Sequence, residues 1–340
     1  MRRALPPVTA GVLAAVVLAA AGCGSETVHE LPPAAEPARS PVPATTPAGE
    51  VLPAGPGAEG IAVDPVTHTI AVGVRAPAAL ILLRPGAATP RRVVALGSPP
   101  RHLAYDAATE RFLVPTEGDD RLVQVTPAGA AQAAAVGAQP HDAAALAGSI
   151  FVGDERGNTV SVVVAGRTRR TFAVATQPGG LAAADGGHLL AVVSVRRRVL
   201  ELYDPHTRRR VGSAGAGVGP THVVAEADRL YVADTRGGAL LVFGTRPRLA
   251  LLRRVFLPGG PYGLAIDPVR HRLWVTLTAR NEVVSLTADG RPREVRRLPT
   301  VRQPDSVAVD SALGTVVVAG RAAGVVQVIG AQQAYPQHGR

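Results

Sequence analysis

One short motif, repeated seven times at an average spacing of 41 residues, predicts an all-β chain folded as a seven-bladed β-propeller of four-stranded antiparallel blades. Two columns carry the prediction. An apolar residue opening a short strand recurs at Ile61, Leu103, Ala143, Leu181, Val223, Leu264 and Val307. A second strand then brings a valine in every repeat, at Val72, Val114, Val152, Val192, Val232, Val275 and Val318. The offset between the columns is eleven residues in five repeats and nine in the third and fifth. A two-residue change keeps every side chain on its own face of the sheet, so the alternation survives.

The chain before the repeats reads as an export leader and a tether. Arg2 and Arg3 precede an apolar run from Val12 to Ala21, which is too short for a membrane-spanning helix. Ala20-Ala21-Gly22-Cys23 resembles a bacterial lipobox, with Ala20 in place of the usual leucine. The resemblance implies a signal peptide over residues 1–22 and a lipid on Cys23. The protein is then anchored to the outer face of the cytoplasmic membrane or cell envelope, not spanning it. Cys23 is the only cysteine, so no internal disulfide can form. Residues 23–49 are rich in Pro, Ala, Ser and Thr without apolar periodicity, the composition of a semi-extended tether.

From residue 50 to 330 the repeats run without interruption. The residue after the first column is small almost throughout (Ala62, Ala104, Ala144, Ala182, Val224, Ala265, Ala308), as crowding of inner strands around an axis requires. Two positions further on, five repeats carry an acid: Asp64, Asp106, Glu226, Asp267 and Asp310. A side chain that can bond its own backbone starts a turn there, which is a structural reading and not a catalytic one. Third strands follow, such as Val160–Val163 and Leu240–Phe243. Fourth strands are more polar, such as Arg91–Leu96 and Arg293–Leu298, as expected at a solvated edge. The last repeat lacks a fourth strand, since residues 331–340 read only as a tail. Glu50-Val51-Leu52 is predicted to pair outside Val325–Val328 and close the ring, because closure removes sheet edges. Aromatics are only 3% of the chain, so the core must be built from Val, Leu, Ile and Ala.

Two segments carry a family resemblance. Leu230-Tyr231-Val232-Ala233-Asp234 through Val242 and Phe151-Val152-Gly153-Asp154 through Val162 look like YVTN repeats. The Pro-x-Gly-[apolar]-Ala-[apolar]-Asp pattern is shared with NHL-type repeats. The chain resembles the YncE-like group of exported propellers over residues 50–330. That resemblance implies the fold strongly and a function weakly, because one fold hosts many activities.

Chemistry is expected where the repeat stops repeating. The loop entering each innermost strand lies at one end of the central channel. The two residues before the first column vary from blade to blade while the frame does not. They supply the candidate ligand-binding set Glu59, Arg101, His102, His141, Asp142, Thr221, His222, Tyr262 and Asp305. His102, His141 and His222 are candidate ligands for a divalent metal, with Glu59 or Asp305 able to complete the sphere. The spacing alone does not bring them together. His102 and His222 share a column three blades apart, and His141 sits one position earlier. Propeller lyases such as virginiamycin B lyase and the amidating lyases are similar in placing His and acidic residues at the channel mouth. His68, His188, His206 and His271 fall in turns and read as solvated.

The formal charge of +10 comes from arginine, with no lysine in the chain. In an exported, arginine- and alanine-rich protein it does not point to nucleic acid. Arg167, Arg169, Arg170 and Arg208–Arg210 are expected to lie together at the end opposite the histidines, and Arg196–Arg198 at the histidine end. Charge runs of this kind are mostly solvated faces. The sequence therefore predicts a monomeric, lipid-anchored propeller. It acts as a binding or interaction scaffold for an unknown protein or small molecule, and needs no cofactor beyond a divalent metal. The alternative is a metal-assisted lyase or hydrolase working at the channel mouth.

Overall fold

The two predicted columns face each other in the computed structural model, which describes residue 1, residues 31–86 and residues 91–335. Ile61 pairs with Val72, Ala143 with Val152, Leu181 with Val192, Val223 with Val232, Leu264 with Val275 and Val307 with Val318. All seven valines are fully buried. At about 2 kcal/mol for each buried valine, this column is a large part of the frame's stability. The leader, Cys23 and the end of the predicted tail lie outside the described residues. No helix among the described residues is long and apolar enough to cross a membrane.

The strands form seven four-stranded antiparallel sheets. Their inner strands begin blade 1 at Ile61–Asp64, blade 2 at Ala104–Asp106, blade 3 at Pro140–Leu146 and blade 4 at Pro178–Ala184. Blades 5, 6 and 7 begin at Pro220–Glu226, Pro261–Asp267 and Pro304–Asp310. Blade 7 takes its outer strand from the N-terminal side of the repeats, as predicted. Glu50–Pro53 runs antiparallel to Val325–Ile329, with Val51 opposite Gln327 and Leu52 opposite Val326. The architecture is a seven-bladed β-propeller.

The core is divided. Seven apolar clusters fill the seven clefts between successive blades. The few aromatics are spent here, with Trp274, Tyr231, Phe112, Phe151 and Phe243 fully buried. The turn acids do what their position predicts: Asp64, Asp106, Asp267 and Asp310 each accept a hydrogen bond from the backbone N–H two residues on. Glu226 differs and pairs with the exposed His271. Asp154 and Asp234 are buried brackets. Asp154 accepts from Gly137 N–H and Asp234 from the N–H groups of Val218 and Gly219, tying each loop between blades to the next blade.

Two ends of the chain pack more closely than composition suggests. Residues 32–49, where an unpacked tether is expected, lie against the propeller. An extended proline-rich segment leaves its carbonyls unbonded, and side chains of the propeller capture them. Arg196 donates to Pro32 O, Arg236 to Pro33 and Ala34 O, and Asn281 to Pro41 O. Ser40 and Gln303 exchange two hydrogen bonds. At the other end Ala331–Ala334 forms one helical turn. Tyr335 then reaches back, its hydroxyl accepting from the Trp274 indole N–H and donating to Asp267.

Candidate functional site

Six of the seven inner strands carry one extra residue where they enter the channel. In blade 3, for instance, Pro140 pairs with Asp154 and Asp142 with Gly153, leaving His141 unopposed. Blades 4 to 7 show the same register shift. In blade 2 the bridge from Pro100 to Thr116 and the pair Ala104–Leu113 leave one residue over. A bulge frees side chains from strict alternation and re-aims them. These are the two variable positions of the sequence pattern.

Blade 1 has Gly60 here, blade 4 Gly179-Gly180, and blade 6 Gly263. A Cβ on Gly180 would lie 2.9 Å from His222 Cα, and one on Gly60 2.3 Å from Arg101 O. On Gly263 it would lie 2.9 Å from Asp305 O. Each glycine lets the next blade, which bears a polar residue, come close to the axis.

The result is convergence. One ring nitrogen from each of His102, His141 and His222 lies within 4.8 Å of the others. The Nε2 atoms of His102 and His222 are 3.0 Å apart and hydrogen-bonded, with His102 Nε2–H donating, a proton that a bound metal would displace. Two of the rings are held by partners that can only accept a hydrogen bond. His222 Nδ1–H donates to the Tyr262 carbonyl at 3.1 Å, and His141 Nδ1–H to the Glu155 carboxylate at 3.0 Å. In a neutral imidazole that fixes the tautomer and leaves Nε2 as a bare lone pair. Burial disfavours the charged form of His102 and His222. It pushes His222 down to about 3, with further repulsion from His141 and Arg101. His102 is driven well below its ordinary value by burial and by both neighbouring histidines. Burial alone would raise Glu155, but its bond and charge interaction with His141 bring it to about 2.

This donor set fits a transition-metal ion. Two nitrogens on a tetrahedral zinc stand about 3.3 Å apart at the usual bond lengths, close to the His102–His222 separation. Three imidazoles, two of them oriented by outer partners, are a donor set suited to zinc, copper or nickel.

The other predicted residues divide. Asp142 lines the channel with His102 and His222, in a cavity of about 200 Å³ walled by the first apolar column, and Asp305 stands in that wall with its side chain fully buried. Arg101 bends over the mouth among Glu59, Glu117 and Glu36, the last contributed by the strap of residues 32–41. Burial opposes its charge, but Tyr262, Glu59 and Glu117 hold the guanidinium ionised. Tyr262 packs its ring edge-on against His222. Glu59 is buried among Arg75, Arg101 and Arg321 and does not line the cavity. Thr221 is not brought to the site: its hydroxyl contacts Thr235 and the Ala233 carbonyl, inside the blade.

Sequence reasoning missed Glu117, Glu155, Arg75 and Arg321. All four stand at the ends of second strands or just after them, in hairpins at the histidine end. The signal was available, because those hairpins border the same mouth as the entry loops.

Asp305 is fully buried, and burial raises its carboxyl to about 7 despite the hydrogen bond from Gln303. A raised carboxyl pKa means that the folded chain holds the proton more tightly than the unfolded chain. The group therefore lowers stability progressively between about pH 4 and pH 7. Asp305→Asn is expected to be more stable than the parent by about 1–3 kcal/mol at pH 8 and equal to it near pH 4. Urea unfolding at the two pH values checks this; a less stable variant at pH 8 would show that Arg321 outweighs burial.

No protein-family model and no curated protein matches the chain. Solved structures do, at the level of fold. A chain of hydrazine synthase from Kuenenia stuttgartiensis is 15% identical, with 86% of this chain and 99% of that one covered and a TM-score of 0.70. Virginiamycin B lyase from Staphylococcus aureus is 13% identical over 82% and 98% of the two chains, with a TM-score of 0.68. The WD40 propeller domain of Doa1 is 11% identical over 83% and 95%, with a TM-score of 0.68. These are propellers of differing kinds, and the likeness is one of fold.

Proposed function

We propose that this protein is an exported propeller, held at the membrane by a lipid on Cys23, that binds a transition-metal ion through His102, His141 and His222 and receives a small ligand in the channel beside it. One observation carries the reading. The outer nitrogens of two imidazoles are committed to Glu155 and to the Tyr262 carbonyl, so in their neutral forms their inner nitrogens converge as lone pairs beside the His102 ring, whose Nε2 proton a metal would displace. Three protein ligands leave a coordination position open to water or to a ligand, unlike a closed structural site. The strap is tied to Arg101 through Glu36, and the cavity beside His102 and His222 is the space such a ligand would take.

A second reading, a metal-assisted lyase or hydrolase, is favoured by Asp305, a residue of the same cavity wall whose buried carboxyl is raised to about 7, near the pH at which a proton is moved. It is the reading to adopt if the metal-loaded protein turns over a substrate. The first test is metal analysis of the purified full chain after exposure to zinc, copper, nickel and iron. About one equivalent retained through gel filtration supports the site; none for any of the four removes it.

A further inference from the structure

We infer that the histidine end of the propeller docks on a bilayer of anionic phospholipid, through Phe256 and the exposed arginines of blades 4 to 7. Of the chain's one tryptophan, five tyrosines and five phenylalanines, Phe256 alone is exposed, at 76%; the others are buried or half-buried. It ends the outer strand of blade 5, Ala250–Phe256, opposite Ala239. That register puts it at the histidine end, beside the hairpin that carries Arg236. Two exposed valines stand at the same end: Val218, in the loop entering blade 5, and Val42, next to the strap residue held by Asn281. Exposed apolar side chains grouped in this way mark an interaction surface, and phenylalanine beside arginine suits the boundary between headgroups and acyl chains.

The charge around Phe256 has one sign. Arg197, Arg236, Arg280 and Arg302 are exposed in the hairpins and entry loops of blades 4 to 7, and the strap adds Arg39. Among the described residues Arg39, Arg197, Arg280 and Arg302 have no hydrogen-bond or ion-pair partner. Arg236 donates to the Pro33 and Ala34 carbonyls, which leaves its charge uncompensated. The acids of this sector do not offset them: Asp234 and Asp305 are buried, Glu282 is paired with Arg297, and Glu36 with Arg101. The opposite end is also basic, but there Arg246 is paired with Asp185 and Arg229 with Asp228, and Glu110 and Asp289 are exposed. The path of the chain favours the histidine end. The strap lies on it from Pro32, at Arg196, to Ser40, at Gln303. Cys23 precedes Pro32 by nine residues, which reach at most about 30 Å when fully extended. A lipid on Cys23 therefore holds this end near the bilayer. That last argument rests on the lipid of the proposed function; those from Phe256 and from charge do not.

Residues 32–340 form one compact unit that holds every strand of the propeller, so a chain beginning at Pro32 carries the whole surface without leader or lipid. Its co-sedimentation is measured with vesicles of phosphatidylglycerol and phosphatidylcholine in equal parts, and with vesicles of phosphatidylcholine alone. The expected result is binding to the anionic vesicles only, strong at about 50 mM salt and lost at about 500 mM. An arginine near such a surface is worth about fivefold in partitioning, so Arg197→Gln, Arg280→Gln and Arg302→Gln together should weaken binding about a hundredfold. Arg167→Gln, Arg209→Gln and Arg248→Gln remove the same charge from the opposite end and should leave binding within about twofold. Phe256→Trp reports insertion: its emission should shift to the blue on anionic vesicles, over the constant signal of the buried Trp274. The proposal is overturned if the anionic vesicles are not bound, if phosphatidylcholine is bound equally, if the second set of substitutions weakens binding as much as the first, or if the emission of bound Phe256→Trp does not move. The mass of the exported full chain is read separately. Vesicle binding without a lipid on Cys23 defeats only the anchor, and a lipid without vesicle binding by the shortened chain defeats this proposal alone.

Discussion

Alanine at His102, His141 or His222, one at a time, should each abolish retention of the metal, reducing about one equivalent per chain to a small fraction. Each ring supplies one of three ligands, and the blades that carry the other two cannot move to compensate. Glu155→Gln separates this reading from general damage to the mouth. It leaves all three ligands in place but weakens the acceptor that orients His141 Nδ1. Replacing an outer partner of this kind weakens metal binding by about 10–100-fold, so Glu155→Gln should fall between the parent and the alanine variants. Competition with a chelating dye gives the order. Equal affinity in Glu155→Gln and the parent would mean that His141 is held by packing alone. Equal affinity in all three alanine variants and the parent would end the metal assignment.

Removing the closing strand should have the largest effect on the fold. A chain beginning at Ala54 lacks the four residues that pair with Val325–Ile329. It also lacks Leu52, which packs into the cleft between blades 7 and 1. A few ladder hydrogen bonds at about 0.5–1.5 kcal/mol each, and one partly buried leucine, amount to a loss of about 3–6 kcal/mol. It also uncovers an edge strand of almost entirely apolar residues, Val-Val-Gln-Val-Ile, which invites pairing between molecules. The shortened chain is therefore expected to unfold at lower urea and to aggregate. A chain beginning at Pro32 keeps both strap and closing strand and should do neither. Equal urea midpoints for the two chains would show that blade 7 is stable with three strands.

The frame was legible because it is periodic. Each blade solves the same packing problem, so the valine column and the turn aspartates appear seven and four times in one chain, and each copy checks the others. The closing strand was legible for a related reason: one blade was a strand short, and Val51 stood at the right distance before the first repeat. The site was legible only as a set of positions. His102, Asp142, His222 and Asp305 were found because they interrupt the pattern. That His141, one place earlier, reaches the same point depends on where the bulge falls in blade 3, and periodicity averages such irregularities away. Glu155 and Glu117 were hidden in hairpins whose polar residues look like those of any solvent-exposed turn. Residues 32–49 misled for the opposite reason. Their composition offers no core, but they are held by carbonyls, which every sequence has, and by the side chains that meet them.

The closing strand also sets an order of events. Glu50 meets Val328, and Ser40 meets Gln303, across 278 and 263 residues of chain. Nearly every other strand pairs within its own blade, a few dozen residues away at most. As the chain emerges from synthesis, blades 1 to 6 can assemble from local hairpins, while its earliest β-segment waits unpaired for the latest. The strap of residues 32–41 can meet Arg196, Arg236 and Asn281 of blades 4 to 6 earlier, but its bonds to Gln303, just before blade 7, complete only at that final step. Pulse-labelled hydrogen exchange should show Leu52 and Val326 gaining protection together and last, after the inner strands of blades 2 to 5. Early protection at Leu52 would contradict this order. The channel mouth is thus built open and closed late, and a destabilised ring would expose its histidine cluster before it loses its blades.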